Sequence, residues 1–289
     1  MLPELSIIIP THNSASTIDR CINSLNAKSY HREKYEIIIV DDGSKDKTIE
    51  LAKKAGVDKI IVTDPCFQGK ARNIGVKNAE GDLVAFIDSD CLAKKGWIDA
   101  VFDGLSGDGA ITGPIENGNP QSHVAWVEYL VEFGGWSQHR KQSSVPFFPG
   151  CNGACKKDDF LRAGGFVESE ASEDVLFGMS LKRAGINLRF VPEMQVLHLC
   201  RTSLKSVLRN MEKLGRYFVK ARRREPSLPY SFVLKNRIFL PSIFGGKTVK
   251  AAKYAIHTKK FGKFLYLFPL ILLATSSHCI GAWKEYENK

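Results

Sequence analysis

The sequence predicts an α/β protein: a doubly wound, mostly parallel sheet followed by a helical C-terminal tail that is both basic and apolar. Three observations predict it. Short apolar runs rich in β-formers alternate with helical periodicities through the first ninety residues, a pattern that folds into right-handed crossovers. Three of those runs end in polar residues, and ligands of such sheets bind at the carboxyl ends of the strands. After Arg224 the composition shifts to lysines interleaved with apolar residues, ending in the uncharged stretch Phe264–Trp283.

In order, Leu5–Pro10 reads as the first strand and runs into Thr11-His12-Asn13-Ser14, where Asn and Ser are good helix caps. Ile18, Cys21, Ile22 and Leu25 then fall on one helix face. Glu36–Val40 is a second buried strand ending in Asp41-Asp42-Gly43-Ser44, and a helix through Ile49, Ala52 and Ala55 follows. Lys59–Thr63 is a third strand. A loop with Pro65 and Gly69 leads to a helix over about Ala71–Ala79. Leu83–Ile87 is a fourth strand, running directly into Asp88-Ser89-Asp90. Carboxylates at i and i+2 of a strand end point the same way, so a cation between them relieves their repulsion. Further on, Ala110–Gly113 reads as a strand, and His123–Trp136 as an aromatic-rich helix whose Trp126, Tyr129, Leu130 and Phe133 suit a core.

Composition sets the bounds. A chain of 289 residues, 44% hydrophobic and 25% charged, holds one substantial core or a core with an appendage. The net charge of +10 favours an anionic partner. Seven scattered cysteines without paired metal-site spacing suit reduced thiols, and the N-terminus enters its first strand without a secretory signal, so a cytosolic domain is expected. There is no Gly-x-Gly-x-x-Gly after the first strand and no phosphate-binding Gly-x-x-x-x-Gly-Lys-Ser/Thr, which argues against a nicotinamide enzyme and a P-loop NTPase.

Ile9-Pro10-Thr11-His12-Asn13, Val40-Asp41-Asp42-Gly43-Ser44, Gly69-Lys70-Ala71-Arg72-Asn73-Ile74-Gly75 and Asp88-Ser89-Asp90 come in order and at suitable spacing. Together they resemble the family 2 inverting glycosyltransferases of the GT-A fold, over about residues 5–225. The resemblance implies a nucleotide-diphosphate sugar, by preference a UDP-sugar, and Mg²⁺ or Mn²⁺. It implies that Pro10 and Thr11 border base and ribose, and that Asp41 accepts from the base while Asp42 fixes the loop. Asn13 and Ser89 join the nucleotide-binding set. Arg72 is expected at the nucleotide or its phosphates, where a planar guanidinium suits bidentate contact; a surface ion pair is its plainer reading. Asp88 is expected near the ribose or metal, and Asp90 as direct metal ligand.

Downstream, Phe147–Ala154 matches the segment lining the donor-sugar pocket, where small residues would let backbone approach the ligand. Phe160–Phe166 resembles the family's turn towards the acceptor site. Glu173-Asp174 opens an apparent helix, a placement the helix dipole alone favours. The resemblance assigns Asp174 as catalytic base and Glu173 as an acceptor contact or orienting group. His198 matches a histidine that approaches metal or phosphates in many relatives; a core role stays equally open. The processive motif Gln-x-x-Arg-Trp is absent around Arg209–Tyr217, so single sugar addition is expected.

The tail, Phe264–Trp283 above all, suits a membrane-spanning or re-entrant helix, an interfacial helix, or a soluble packing helix. The lysines ahead of it favour the cytoplasmic face and anionic lipid. Two domains are therefore expected, residues 1–228 and 229–289. The expected activity is metal-dependent inverting transfer of one sugar to a saccharide or polyprenyl-phosphate-linked acceptor, at the cytoplasmic face of the cell membrane. A sugar-phosphate nucleotidyltransferase is the enzyme alternative, although Thr11-His12-Asn13 lacks its Gly-rich basic signature. A nucleic-acid-binding module is the non-enzyme alternative; no signature supports it, and nucleic acid is not an expected partner.

Overall fold

The computed structural model describes residues 2–26, 31–137, 145 and 147–288, with Arg237 by its backbone alone. In chain order the elements are β1 (Leu5–Thr11), α1 (Ile18–Asn26), β2 (Tyr35–Asp41), α2 (Thr48–Ala55), β3 (Lys59–Val62), α3 (Phe67–Lys77), β4 (Leu83–Ile87), β5 (Cys91–Ala93), α4 (Trp97–Leu105), β6 (Ala110–Thr112), β7 (Ile115–Asn117), α5 (His123–Glu132), β8 (Asn152–Lys156), α6 (Lys157–Arg162), α7 (Glu173–Arg183), β9 (Leu188–Phe190), β10 (Val196–His198), α8 (Leu204–Arg224), α9 (Pro241–His257) and α10 (Phe261–Glu287).

The chain divides into two compact units, residues 1–116 with 140–199 and residues 117–139 with 200–289. This division differs from the boundary at 228/229 that composition suggests. The reason lies in α8, whose Val207 and Met211 share a core with Phe264, Leu267 and Ile271 of α10. Helix α5 joins the same core through Trp126, Tyr129 and Leu130, so those aromatics are core residues. Met1 and Lys289, the outer limits of the two expected domains, lie outside the described residues.

In the first unit a seven-stranded sheet has the order β3-β2-β1-β4-β8-β6-β9. Strands β1 to β4 are parallel, as the strand–helix alternation requires. Every residue of β1 and β2 is buried, the mark of strands covered on both faces. Their register pairs Thr11 with Asp41, which brings the two polar strand ends level. Helix α3 packs tightly on β1: a Cβ added at Gly75 would lie 2.4 Å from Ile8. Strand β8 departs from the pattern, running antiparallel between β4 and β6. Asn152 anchors it, accepting from the Trp97 indole at 2.9 Å and donating to the carbonyls of Pro114 and Met194. A three-stranded sheet, β5-β10-β7, sets His198 opposite Cys91.

In the second unit α10 runs 27 residues, about 40 Å at the α-helical rise, with Pro269 inside it. It is the one helix among the described residues long and apolar enough to cross a membrane by length and composition.

Candidate active site

The parallel strands deliver three polar ends to one edge of the sheet, and local hydrogen bonds tie them together. Asn13, in the left-handed region at φ 48°, accepts from the Lys45 amide and its own amide donates to Ser44 Oγ. Asparagine tolerates that conformation better than most residues. Ser14 Oγ and Ser89 Oγ lie 2.8 Å apart, joining the ends of β1 and β4. The Asp42 carboxylate accepts from the amides of Cys66 and Phe67, which pins the loop ahead of α3. His12 Nδ1 lies 2.7 Å from the Asp42 carbonyl and Asn13 Nδ2 lies 2.8 Å from its Nε2. Those partners assign the Nδ1–H tautomer, which donates on one side and accepts on the other.

These ends enclose a cleft of about 220 Å³, whose lining includes Pro10, Thr11, His12, Gln68, Asp88 and Asp90. His12 and Gln68 carry no motif signal that would select them from sequence. Asp41 is fully buried; its Oδ2 accepts from the Ser44 amide at 2.9 Å, while Oδ1 has no partner among the described residues. A buried carboxylate oxygen without a donor is costly, so a ligand N–H supplied there would be bound strongly.

Asp90 and His198 meet on the small sheet. His198 Nε2 lies 3.6 Å from Asp90 Oδ1, and the Leu199 amide donates to the Asp90 carbonyl at 2.8 Å. Cys91 Sγ completes a cluster whose ligand atoms all lie within 4.8 Å of one another. Burial pushes the Cys91 thiol well above its usual pKa. A hard divalent ion prefers the carboxylate and imidazole to sulfur, so the donor set fits Mg²⁺ or Mn²⁺ with positions left for phosphate oxygens.

Arg72 departs from its plainer reading as a surface ion pair. Its guanidinium is buried, 1% exposed, between two carboxylates: Nη2 lies 2.6 Å from Asp88 and Nη1 2.7 Å from Glu173. Burial opposes its charge, but Asp88 and Glu173 outweigh that and raise its pKa above the ordinary value. Gly150 makes the space, since a Cβ there would lie 2.8 Å from the guanidinium carbon. A Cβ at Gly153 would likewise lie 2.3 Å from the Phe148 ring. Both glycines accommodate neighbouring protein groups.

Glu173 is equally buried, 1% exposed, with its Oε1 on the Arg72 guanidinium. Asp174, next on α7, is half-buried and accepts from the Val175 amide at 2.7 Å and the Gly150 amide at 3.5 Å. Burial first, then the neighbouring Glu173 charge, push its carboxyl up to about 7. Ser172 just ahead sits at φ 64°, and Phe67 at the start of α3 at φ 63°. Left-handed non-glycine residues thus open both helices that carry site residues, α3 and α7.

Residues 6–162, more than half the chain, match the family model described as glycosyl transferase family 2. The chain belongs to that family. Its homologues are glycosyltransferases, and so is its enzyme class. Glycosyltransferase AglE of Haloferax volcanii is 34% identical over 136 residues, 44% of each chain. The poly(ribitol-phosphate) β-N-acetylglucosaminyltransferase TarS of Staphylococcus aureus is 36% identical over 98 residues, 32% of this chain and 17% of TarS. The chain spans at most about half the length of these curated relatives. Among solved structures, the mannosyltransferase PcManGT of Pyrobaculum calidifontis, in complex with GDP-Man and Mn²⁺, superposes with a TM-score of 0.66 at 18% identity. That match covers all of this chain and 88% of PcManGT. Residues 1–349 of S. aureus TarS with UDP-GlcNAc give 0.55 at 16% identity, covering 99% and 91%. The shared architecture is the GT-A fold.

Proposed function

We propose that the chain is a metal-dependent inverting glycosyltransferase. It moves one sugar from a nucleotide-diphosphate sugar, a UDP-sugar by preference, to a saccharide or polyprenyl-phosphate-linked acceptor at the cytoplasmic face of a membrane. The observation that carries this reading is Arg72, which ties the strand end bearing Asp88-Ser89-Asp90 to the helix start bearing Glu173-Asp174.

Pro10 and Thr11 border the base and ribose, and the unpartnered Oδ1 of Asp41 receives a base N–H. Asn13 and Ser89 complete the nucleotide wall with Asp42 and Asp88. Asp90, with His198 and Asp88 beside it, would hold Mg²⁺ or Mn²⁺. When bound, that ion neutralises charge growing on the departing diphosphate. Asp174 takes the proton of the acceptor hydroxyl as its oxygen bonds to the anomeric carbon. The bond from that carbon to the diphosphate oxygen breaks, its electron pair leaves with the nucleotide diphosphate, and configuration inverts. A carboxyl poised near 7 is suited to this duty at neutral pH. Glu173 and Arg72 hold the base in place.

The test is a screen of UDP-, GDP- and TDP-sugars with Mn²⁺ and a polyprenyl-phosphate acceptor, reading released nucleoside diphosphate and the anomeric configuration by NMR. Release of diphosphate with an inverted product supports the reading; a retained configuration or no turnover of any donor overturns it.

A further inference from the structure

Helix α10 has two apolar faces and, among the described residues, only one of them is covered. Phe264, Leu267, Ile271, Ala274 and Ala282 form the inner stripe, packed in the core of the second unit along the helix's length. On the outer side Leu265 is 56% exposed, Leu273 50%, Ile280 50% and Trp283 39%. Their spacing of eight, seven and three residues keeps them on one side.

The partner of the inner stripe decides how lipid could meet the outer one. Helix α8 lies against α10 at backbone distance: a Cβ at Gly215 would fall 1.9 Å from the His278 carbonyl, and one at Gly281 1.9 Å from the Glu212 carbonyl. Glu212 is bonded to Lys284 at 2.9 Å, and Arg223 reaches Glu285 at 3.4 Å. α8 carries nine charged side chains in 21 residues, so it cannot follow α10 into hydrocarbon. To cross a bilayer, α10 would have to leave that packing.

Charge shows what covers the outer face. Residues 226–284 contain nine lysines and arginines and no aspartate or glutamate. Exposed Lys253 lies on α9, and exposed Lys259 and Lys260 stand at the start of α10. An apolar helix face flanked by exposed lysines complements an anionic lipid surface.

We propose that α10 docks in the plane of an anionic bilayer by this outer face, with α8 held on its inner side, and does not span the membrane. The proposal deepens the membrane association proposed above and rests on it. It does not depend on the identity of donor or acceptor.

The experiment is sedimentation of the full chain with vesicles of phosphatidylcholine alone or with 30 mol% phosphatidylserine. Binding to the phosphatidylserine vesicles alone is expected, weakened by 1 M NaCl and released by alkaline carbonate. Leu265→Glu/Leu273→Glu, both at exposed positions, should lower the partition coefficient roughly tenfold with an unchanged thermal midpoint. Lys253→Glu should weaken binding to phosphatidylserine vesicles alone. Salt-insensitive binding that resists carbonate extraction would overturn the proposal in favour of a spanning helix. Absence of binding to either vesicle, with or without concentration-dependent dimers, would overturn it too. Diphosphate release from a donor sugar, measured on the same preparation, reports separately on the catalytic reading.

Discussion

Replacing Arg72 with methionine removes the cation that Asp88 and Glu173 share while keeping an unbranched side chain of similar length. The two carboxylates are not left in equal trouble. The Asp88 side chain is 26% exposed, so water can take over much of its solvation. Glu173 is 2% exposed at its side chain, and its Oε2 already has no partner among the described residues. The cost therefore falls mainly on Glu173, and stripping one partner from a buried pair typically destabilises by about 3–5 kcal/mol. In a domain of this size that corresponds to a fall in thermal midpoint of roughly 10 °C. Arg72→Lys keeps the charge but not the fork that reaches two carboxylates, so a loss of about 1–2 kcal/mol is expected. Urea titration followed by circular dichroism measures both. Pairing Arg72→Met with Glu173→Gln should recover part of the loss, because the uncompensated charge goes too. An Arg72→Met variant within about 1 kcal/mol of the parent, or a double variant no better than the single, would refute the reasoning.

Three further outcomes are expected. Asp174 must be deprotonated to act, so the rate should climb as pH rises through about 7; Glu173→Gln removes a charge that raises Asp174 and should move the ascending limb of the kcat/KM profile to lower pH. Gly150→Ala drives a methyl to 2.8 Å from a guanidinium fixed on both sides, so a loss of about 1–3 kcal/mol by urea titration is expected, whereas Gly164→Ala, at φ 84° with open space around it, should cost only backbone strain. Asp90→Asn should weaken Mn²⁺ affinity at least roughly tenfold by titration calorimetry, and His198→Ala should do so less, since a carboxylate contributes charge that imidazole does not.

Much of the fold is legible because buried parallel strands announce themselves. Ile7–Ile9, Ile37–Val40 and Val84–Ile87 are uninterrupted apolar runs, and their register brings Thr11 and Asp41 to one edge. Strand β8 is not legible in this way. Asn-Gly-Ala-Cys-Lys carries no apolar run, since Gly153 leaves its place to a neighbour's side chain, the Phe148 ring. The carboxylates of the site could be placed from their positions at strand and helix ends. The orientation of Arg72 could not, since a lone cation has no periodicity. A signal was nevertheless present: Gly69, Arg72 and Gly75 recur every three residues, and two glycines on the face of a helix mark the face that packs closely. The boundary of the second unit depended on tertiary packing of α8, which composition does not report.

The central claim is that Asp174 takes the acceptor's proton while Asp41, Asp90 and their neighbours hold the donor. Asp174→Asn tests it directly, with transfer rate and donor affinity measured on the same sample. The account predicts that transfer falls by roughly 10²–10⁴-fold while the dissociation constant for the nucleotide sugar changes by no more than about twofold. Transfer at a near-normal rate by Asp174→Asn would contradict it.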